Sequence, residues 1–222
     1  MSNRATYDWE LKNLDRTLED MGVMAQQALN LALETFTNGT PQLLEEIPTL
    51  QEQLNQLERD VEHQCMTLLL RQQPVASDLR KVSTSLEIVE DIRRIGDFAA
   101  DMADILQHME SSRFTQDSLH ADIVEMAANA KRMVSRAILA FRTLDSQLAQ
   151  EVIDYDDTVD KEFLSIRNSL AQRIAAQTES VDYALDYLMM IKYLERLGDH
   201  AVSIAQWVGF CITGVHKAQR IV

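Results

Sequence analysis

The chain has 222 residues, enough to bury a sizeable core as one domain or two compact halves, and its 21 basic against 35 acidic residues give a net charge of −14. That balance argues against a duplex nucleic-acid partner, which needs basic side chains to neutralise phosphates, and against an anionic membrane surface, while leaving cations and basic protein faces open. Only six glycines and three prolines leave little punctuation for a many-stranded fold, and residues that cost least in a helix abound, so the class is all-α.

The amino terminus, MSNRATYDWE, has no apolar signal-like core, and no run approaches the roughly 20 apolar residues of a membrane span. A first helix is predicted from about Tyr7 to Phe36, closed by TNGTP, and a second from about Leu50 to Arg71, closed by QQP. A third follows from Ser77 or Asp78 to about Met109, with Ser77 as N-cap. The string SSRFTQDS then separates two halves, taken as three-helix bundles over residues 1–112 and 113–222. A fourth helix is predicted from Ser118 to Arg142, and Asp145 or Ser146 caps a fifth reaching Ala176. A sixth runs from Val181 to Thr213 and is stopped by Gly214. Helices of roughly thirty residues are about 45 Å long, which implies long antiparallel bundles. Cys65 and Cys211 stand apart from each other and from any His cluster, which suggests a cytoplasmic protein with two reduced, packing cysteines.

The halves repeat each other. A shift of 102 lays Asp97 on Asp199 and pairs Leu86 with Leu188, Ile92 with Leu194, Arg94 with Arg196, Gly96 with Gly198 and Ala99 with Ala201. A second shift, of 98, puts Glu58 and Glu62 on Asp156 and Asp160. Two tandem, pseudo-symmetric three-helix bundles are therefore expected.

The repeated acids are the candidate chemistry. Val61 and Val159 mark the centres of their apolar stripes, with Glu58 and Asp156 about 60° away and Glu62 and Asp160 about 100° away. Asp97 lies about 140° from the stripe through Ile92, Gly96, Ala99 and Ala103, with Glu90, Arg94, Asp101 and Asp104 nearby. Asp199 takes the matching place, with Glu195 nearer the flank. Each half should bring carboxylates from two adjacent helices together on its outer surface. Glu195 and Asp199 repel at their four-residue spacing, and a cation between them would relieve that. An all-oxygen donor set suits hard ions such as Mg²⁺, Mn²⁺ or Fe³⁺. A solvated acidic face is the plainer alternative, but it has no need to keep Asp97 and Asp199 in register. Glycine inside an apolar stripe costs about 1 kcal/mol against alanine and is explained by close helix approach.

Enzyme signatures are sparse. Ferritin-like di-iron proteins carry E-x-x-H on two helices, and the string read against it here is Asp60-x-x-His63, with aspartate in place of glutamate. His200 matches Phe98 across the halves and reads as a surface or interface residue, and Cys65 lies in an apolar stripe. No G-x-S-x-G, Walker A or G-x-G-x-x-G occurs.

The strings QQPVASDLR at Gln72 to Arg80, RRIGD, ERLGD and VGFCITG at Val208 to Gly214 resemble the PhoU family of bacterial phosphate-transport regulators, over almost the whole chain. The resemblance implies two three-helix bundles with multinuclear metal clusters held by repeated E(D)xxxD motifs, the metal being iron, manganese, magnesium or zinc. It implies a cytoplasmic homodimer, membrane-associated through its partners. These partners are the ATPase subunit of a phosphate ABC transporter and a sensor histidine kinase, and the starvation response is held off when phosphate is ample. Carried onto this chain, the motif falls complete on Glu195 and Asp199. In the first half it falls on Arg93 and Asp97, with Arg93 where an acid is expected and Glu90 or Asp101 on the same face to compensate. The expected metal set is Glu195, Asp199, Asp156, Asp160, Asp97, Asp101, Glu58 and Glu62. The expected function is a non-enzymatic signalling adaptor. The alternative is a carboxylate-bridged, ferroxidase-like metalloenzyme, which the missing E-x-x-H disfavours.

Overall fold

A computed structural model describes residues 3–71, 76–109, 118–178 and 180–215. Six helices follow in order, α1 (Asn3–Asn38), α2 (Ile47–Arg71), α3 (Ala76–His108), α4 (Ser118–Thr143), α5 (Ser146–Ala175) and α6 (Val181–Thr213), and there is no strand among the described residues.

The helix ends follow local chemistry. Gly39, at φ 67°, takes the left-handed conformation that closes α1, and a 3₁₀ turn over Pro41–Glu46 leads into α2 and buries Leu44. Helix α2 begins at Ile47, before the predicted Leu50, because Pro48 sits in its first turn, where a missing N–H breaks no helical bond. Helix α3 begins at Ala76, so Ser77 lies inside it and is not its N-cap. The whole of the QQP stop, Pro74 included, lies outside the described residues, as does nearly all of the predicted separator SSRFTQDS and with it the expected boundary after residue 112. Asp145 caps α5, its carboxylate accepting from the backbone N–H groups of Gln147 and Leu148 at 3.0 Å each. Gly214, at φ 76°, closes α6.

Helices α1, α2 and α3 pack on one another, as do α4, α5 and α6, and the halves meet along α3–α6 and α1–α4. This leaves α2 and α5 on the outside. The core is continuous across both halves, and Val61 and Val159 are fully buried, as their places on the wheel require. Cys65 is buried in the same core and Cys211 is half-buried, both as free thiols.

The seam between α3 and α6 is aromatic and polar at once. Phe98 stacks on Tyr193 at 5.7 Å and lies 5.4 Å from the His200 ring. His200 Nδ1 donates to Asp91 Oδ1 at 2.7 Å. His200 is thus an interface residue.

Candidate metal centre

The two glycines of the repeat set the register of the outer helices. A Cβ on Gly198 would stand 3.1 Å from Asp156 Oδ1, and a Cβ on Gly96 would stand 2.3 Å from Leu54 Cδ1. Asp156 on α5 therefore occupies the place that Leu54 occupies on α2. A second pair agrees: Arg93 binds Glu58, and its counterpart Glu195 is the charge that most raises Asp160. In these contacts α2 and α5 correspond at the same shift of 102 as α3 and α6. The expected shift of 98, which set Glu58 on Asp156 and Glu62 on Asp160, is corrected by one turn. A four-residue slip rotates a helix by only about 40°, so both shifts keep the apolar stripe inside and the pattern alone could not separate them.

In the second half, Asp156 and Asp160 on α5 face Glu195 and Asp199 on α6. Burial pushes the Asp156 carboxyl up to about 6, helped by Asp160, Asp199, Asp157 and Glu195. Asp160 and Asp199 keep an outer edge in water, yet desolvation and then Glu195 hold both above the usual carboxylate range. Lys192 offsets part of the charge from the rim, donating to Glu195 Oε2 at 2.5 Å with its side chain 44% exposed.

The first half is built differently. Arg93 donates through Nε to Glu58 Oε1 at 2.7 Å and through a terminal nitrogen to Asp97 Oδ2 at 2.5 Å. Gln51 Nε2 donates to Asp97 Oδ1 at 3.3 Å and Arg94 reaches Oδ2 at 3.5 Å. Burial lowers the affinity of the Arg93 guanidinium for its proton, but Asp97 and Glu58 outweigh it and hold the guanidinium more firmly protonated than usual. The remaining expected ligands lie apart. Glu62 is exposed and acts on the Cys65 thiol. Asp101 is turned to the seam, where the Tyr193 hydroxyl donates to it. Glu90 is exposed.

Among the described residues, no three His, Cys, Asp or Glu side chains already converge at metal-holding geometry. The donor chemistry nevertheless differs sharply between halves. The second offers four carboxylate groups whose mutual repulsion a hard cation would relieve, which fits a metal. The first is filled by a guanidinium and does not fit. Leu54 is the informative residue that sequence reasoning missed, since an apolar side chain in a stripe carries no signal that its counterpart across the repeat is the carboxylate Asp156.

Comparison with known proteins agrees with this architecture. The PhoU domain family model matches residues 18–106 and 123–208. A phosphate-specific transport system accessory protein PhoU homolog of Pseudomonas aeruginosa is 29% identical over 212 residues, covering 94% of this chain and 86% of its own. A protein of the same description from Synechocystis is 30% identical, covering 95% and 93% respectively. The crystal structure of PhoU from Pseudomonas aeruginosa superposes with a TM-score of 0.89 at 28% identity, over 94% of this chain and all of the other. The phosphate transport system regulatory protein PhoU from Streptococcus pneumoniae, at 22% identity and a TM-score of 0.87, shares the fold. Matched over both halves in sequence and along its length in fold, the chain belongs to the PhoU family.

Proposed function

We propose that this protein regulates phosphate uptake and the phosphate-starvation response. It acts as a non-enzymatic adaptor between the ATPase subunit of a phosphate ABC transporter and a sensor histidine kinase. The reading draws on the relatives named as accessory proteins of phosphate-specific transport. It is carried by one observation on this chain, the paired carboxylates Asp156, Asp160, Glu195 and Asp199 brought together from α5 and α6. These residues would hold a hard divalent or trivalent cation, with iron, manganese, magnesium and zinc as the candidates, and the bound charge would cancel repulsion that otherwise splays them. The protein works in the cytoplasm as a homodimer, reaching the membrane through its partners. Among the described residues no helix is long and apolar enough to cross a bilayer, in keeping with attachment through others.

Deleting the gene should leave a phosphate-starvation reporter active in phosphate-rich medium, and the wild-type chain should silence it again. A reporter that stays low in the deletion strain under ample phosphate would refute the assignment. Asp156→Asn with Asp199→Asn, if folded but unable to silence the reporter, would tie the cation site to the signal.

A further inference from the structure

At the register set by the glycines, the first half lacks the leading acid of both carboxylate pairs. The pair Asp156 and Asp160 on α5 corresponds to Leu54 and Glu58 on α2, and Glu195 and Asp199 on α6 correspond to Arg93 and Asp97 on α3. The two substitutions act together. Leu54 closes the place over Gly96 with a methyl group that cannot ligate, and Arg93 bridges the two acids that remain.

We infer that the Arg93 guanidinium is a tethered counter-ion standing where the second half takes a mobile cation, so that each chain binds metal in its second half only. This rests on reading the second-half carboxylates as a cation site.

Arginine offers five donors and no acceptor, so it cannot share a metal and cannot become a ligand by losing a proton. To admit a metal, Glu58 and Asp97 would first have to give up two charge-assisted bonds and leave a mostly buried guanidinium without them, since the Arg93 side chain is only 17% exposed. Lys192 poses no such obstacle in the second half. It reaches Glu195 from three residues earlier, lies 5.3 Å from the Phe163 ring and stays on the rim, so it can swing away on its flexible stem. Its counterpart is Glu90, so the basic and acidic residues have exchanged places between the halves. A base at the motif position plugs the cluster, and a base three residues earlier only borders it.

The probe is Mn²⁺ added to the full chain, purified with chelator and dialysed, with bound metal measured by elemental analysis and affinity by calorimetry. Asp199→Ala should remove most Mn²⁺ from the protein and Asp97→Ala should remove little; equal losses overturn the inference. In a background carrying Asp156→Asn and Asp199→Asn, the chain should no longer bind at concentrations that saturate the wild type. Adding Leu54→Asp and Arg93→Glu to that background should restore binding, tightening it at least about tenfold, and no gain overturns the inference. If the wild type binds no Mn²⁺ at all, the second-half reading fails on its own, while the gain from Leu54→Asp with Arg93→Glu still decides the role of Arg93. A measurement without metal supplies a further check: Arg93→Met should lower the melting temperature in chelator, because Glu58 and Asp97 lose their bridge. An unchanged melting temperature would overturn the counter-ion role.

Discussion

Asp156 Oδ1 lies 3.1 Å from the point where a Cβ on Gly198 would stand, so the absence of a side chain on α6 is what lets a carboxylate of α5 reach across the helix pair. Gly198→Leu should therefore displace Asp156 and press on Met133, whose methyl group is 3.7 Å from the same point. The strain should cost roughly 1–3 kcal/mol, read as a lower midpoint in urea. Gly198→Ala is milder, because the gain in helix propensity of about 1 kcal/mol offsets a small shift of a carboxylate end. It should leave stability nearly unchanged while weakening metal binding. Gly96→Ala is the contrast, since its Cβ would fall 2.3 Å from a methyl group of the fully buried Leu54, and it should destabilise. Equal effects of the two alanines would mean that the glycines play one common packing role.

Stability in the metal-free state should fall as pH rises. The Asp156 carboxyl is pushed up to about 6 from an ordinary 3.8, so the folded chain holds a proton that the unfolded chain has already released across that interval. The contribution is fully present below about 4 and lost as pH rises through about 6, and Asp160 and Asp199, shifted the same way, add to the slope. Solvent screening at this half-exposed site keeps the contribution of Asp156 to about 1 kcal/mol. Urea denaturation in chelator at several pH values checks this, and Asp156→Asn should flatten the profile. A wild-type curve that rises between pH 4 and 7 would contradict it. Bound cation should remove the loss at neutral pH by pairing with the ionised form.

Much of this was legible because the signals are local. Asp145 as the cap of α5 and Gly214 as the stop of α6 are decided by one side chain or one backbone conformation. The pairing of α3 with α6 was legible through the repeated R-[IL]-G-D string. The register of α2 against α5 was not, because a one-turn slip preserves the apolar face and only the contacts over Gly96 and Gly198 distinguish 98 from 102. The fate of Asp101 was equally hidden. Its partner, the Tyr193 hydroxyl, comes from the other half across the α3–α6 seam, and no spacing along one helix reports that.

The thiols should react in a fixed order. Burial, with Glu62 beside it, pushes the Cys65 thiol up to about 12, while Cys211 is only half-buried. Iodoacetamide at pH 8 should label Cys211 in the folded protein and reach Cys65 only on addition of denaturant. Native labelling of Cys65 as fast as Cys211 would show that α2 opens readily from the core.

His200 adjoins Asp199 in sequence but faces the other way, into the seam, where it donates to the largely buried Asp91 at 2.7 Å and lies against Phe98. Its counterpart in the first half is Phe98, so His200→Phe keeps an aromatic ring at the position and removes only the polar contact. Asp91 then loses that donor at a site where its side chain is 12% exposed, which should cost about 1–3 kcal/mol. Asp91→Leu in the same chain should recover most of the loss, since removing both partners is far cheaper than stranding one. Chemical denaturation of the two single variants and the double variant gives the coupling directly. Additive costs would show that the bond carries nothing across the seam. Bound metal should be unchanged in His200→Phe, because the ring faces α3 and away from the carboxylates of α5. A fall in metal content would instead make His200 a ligand and enlarge the second-half site.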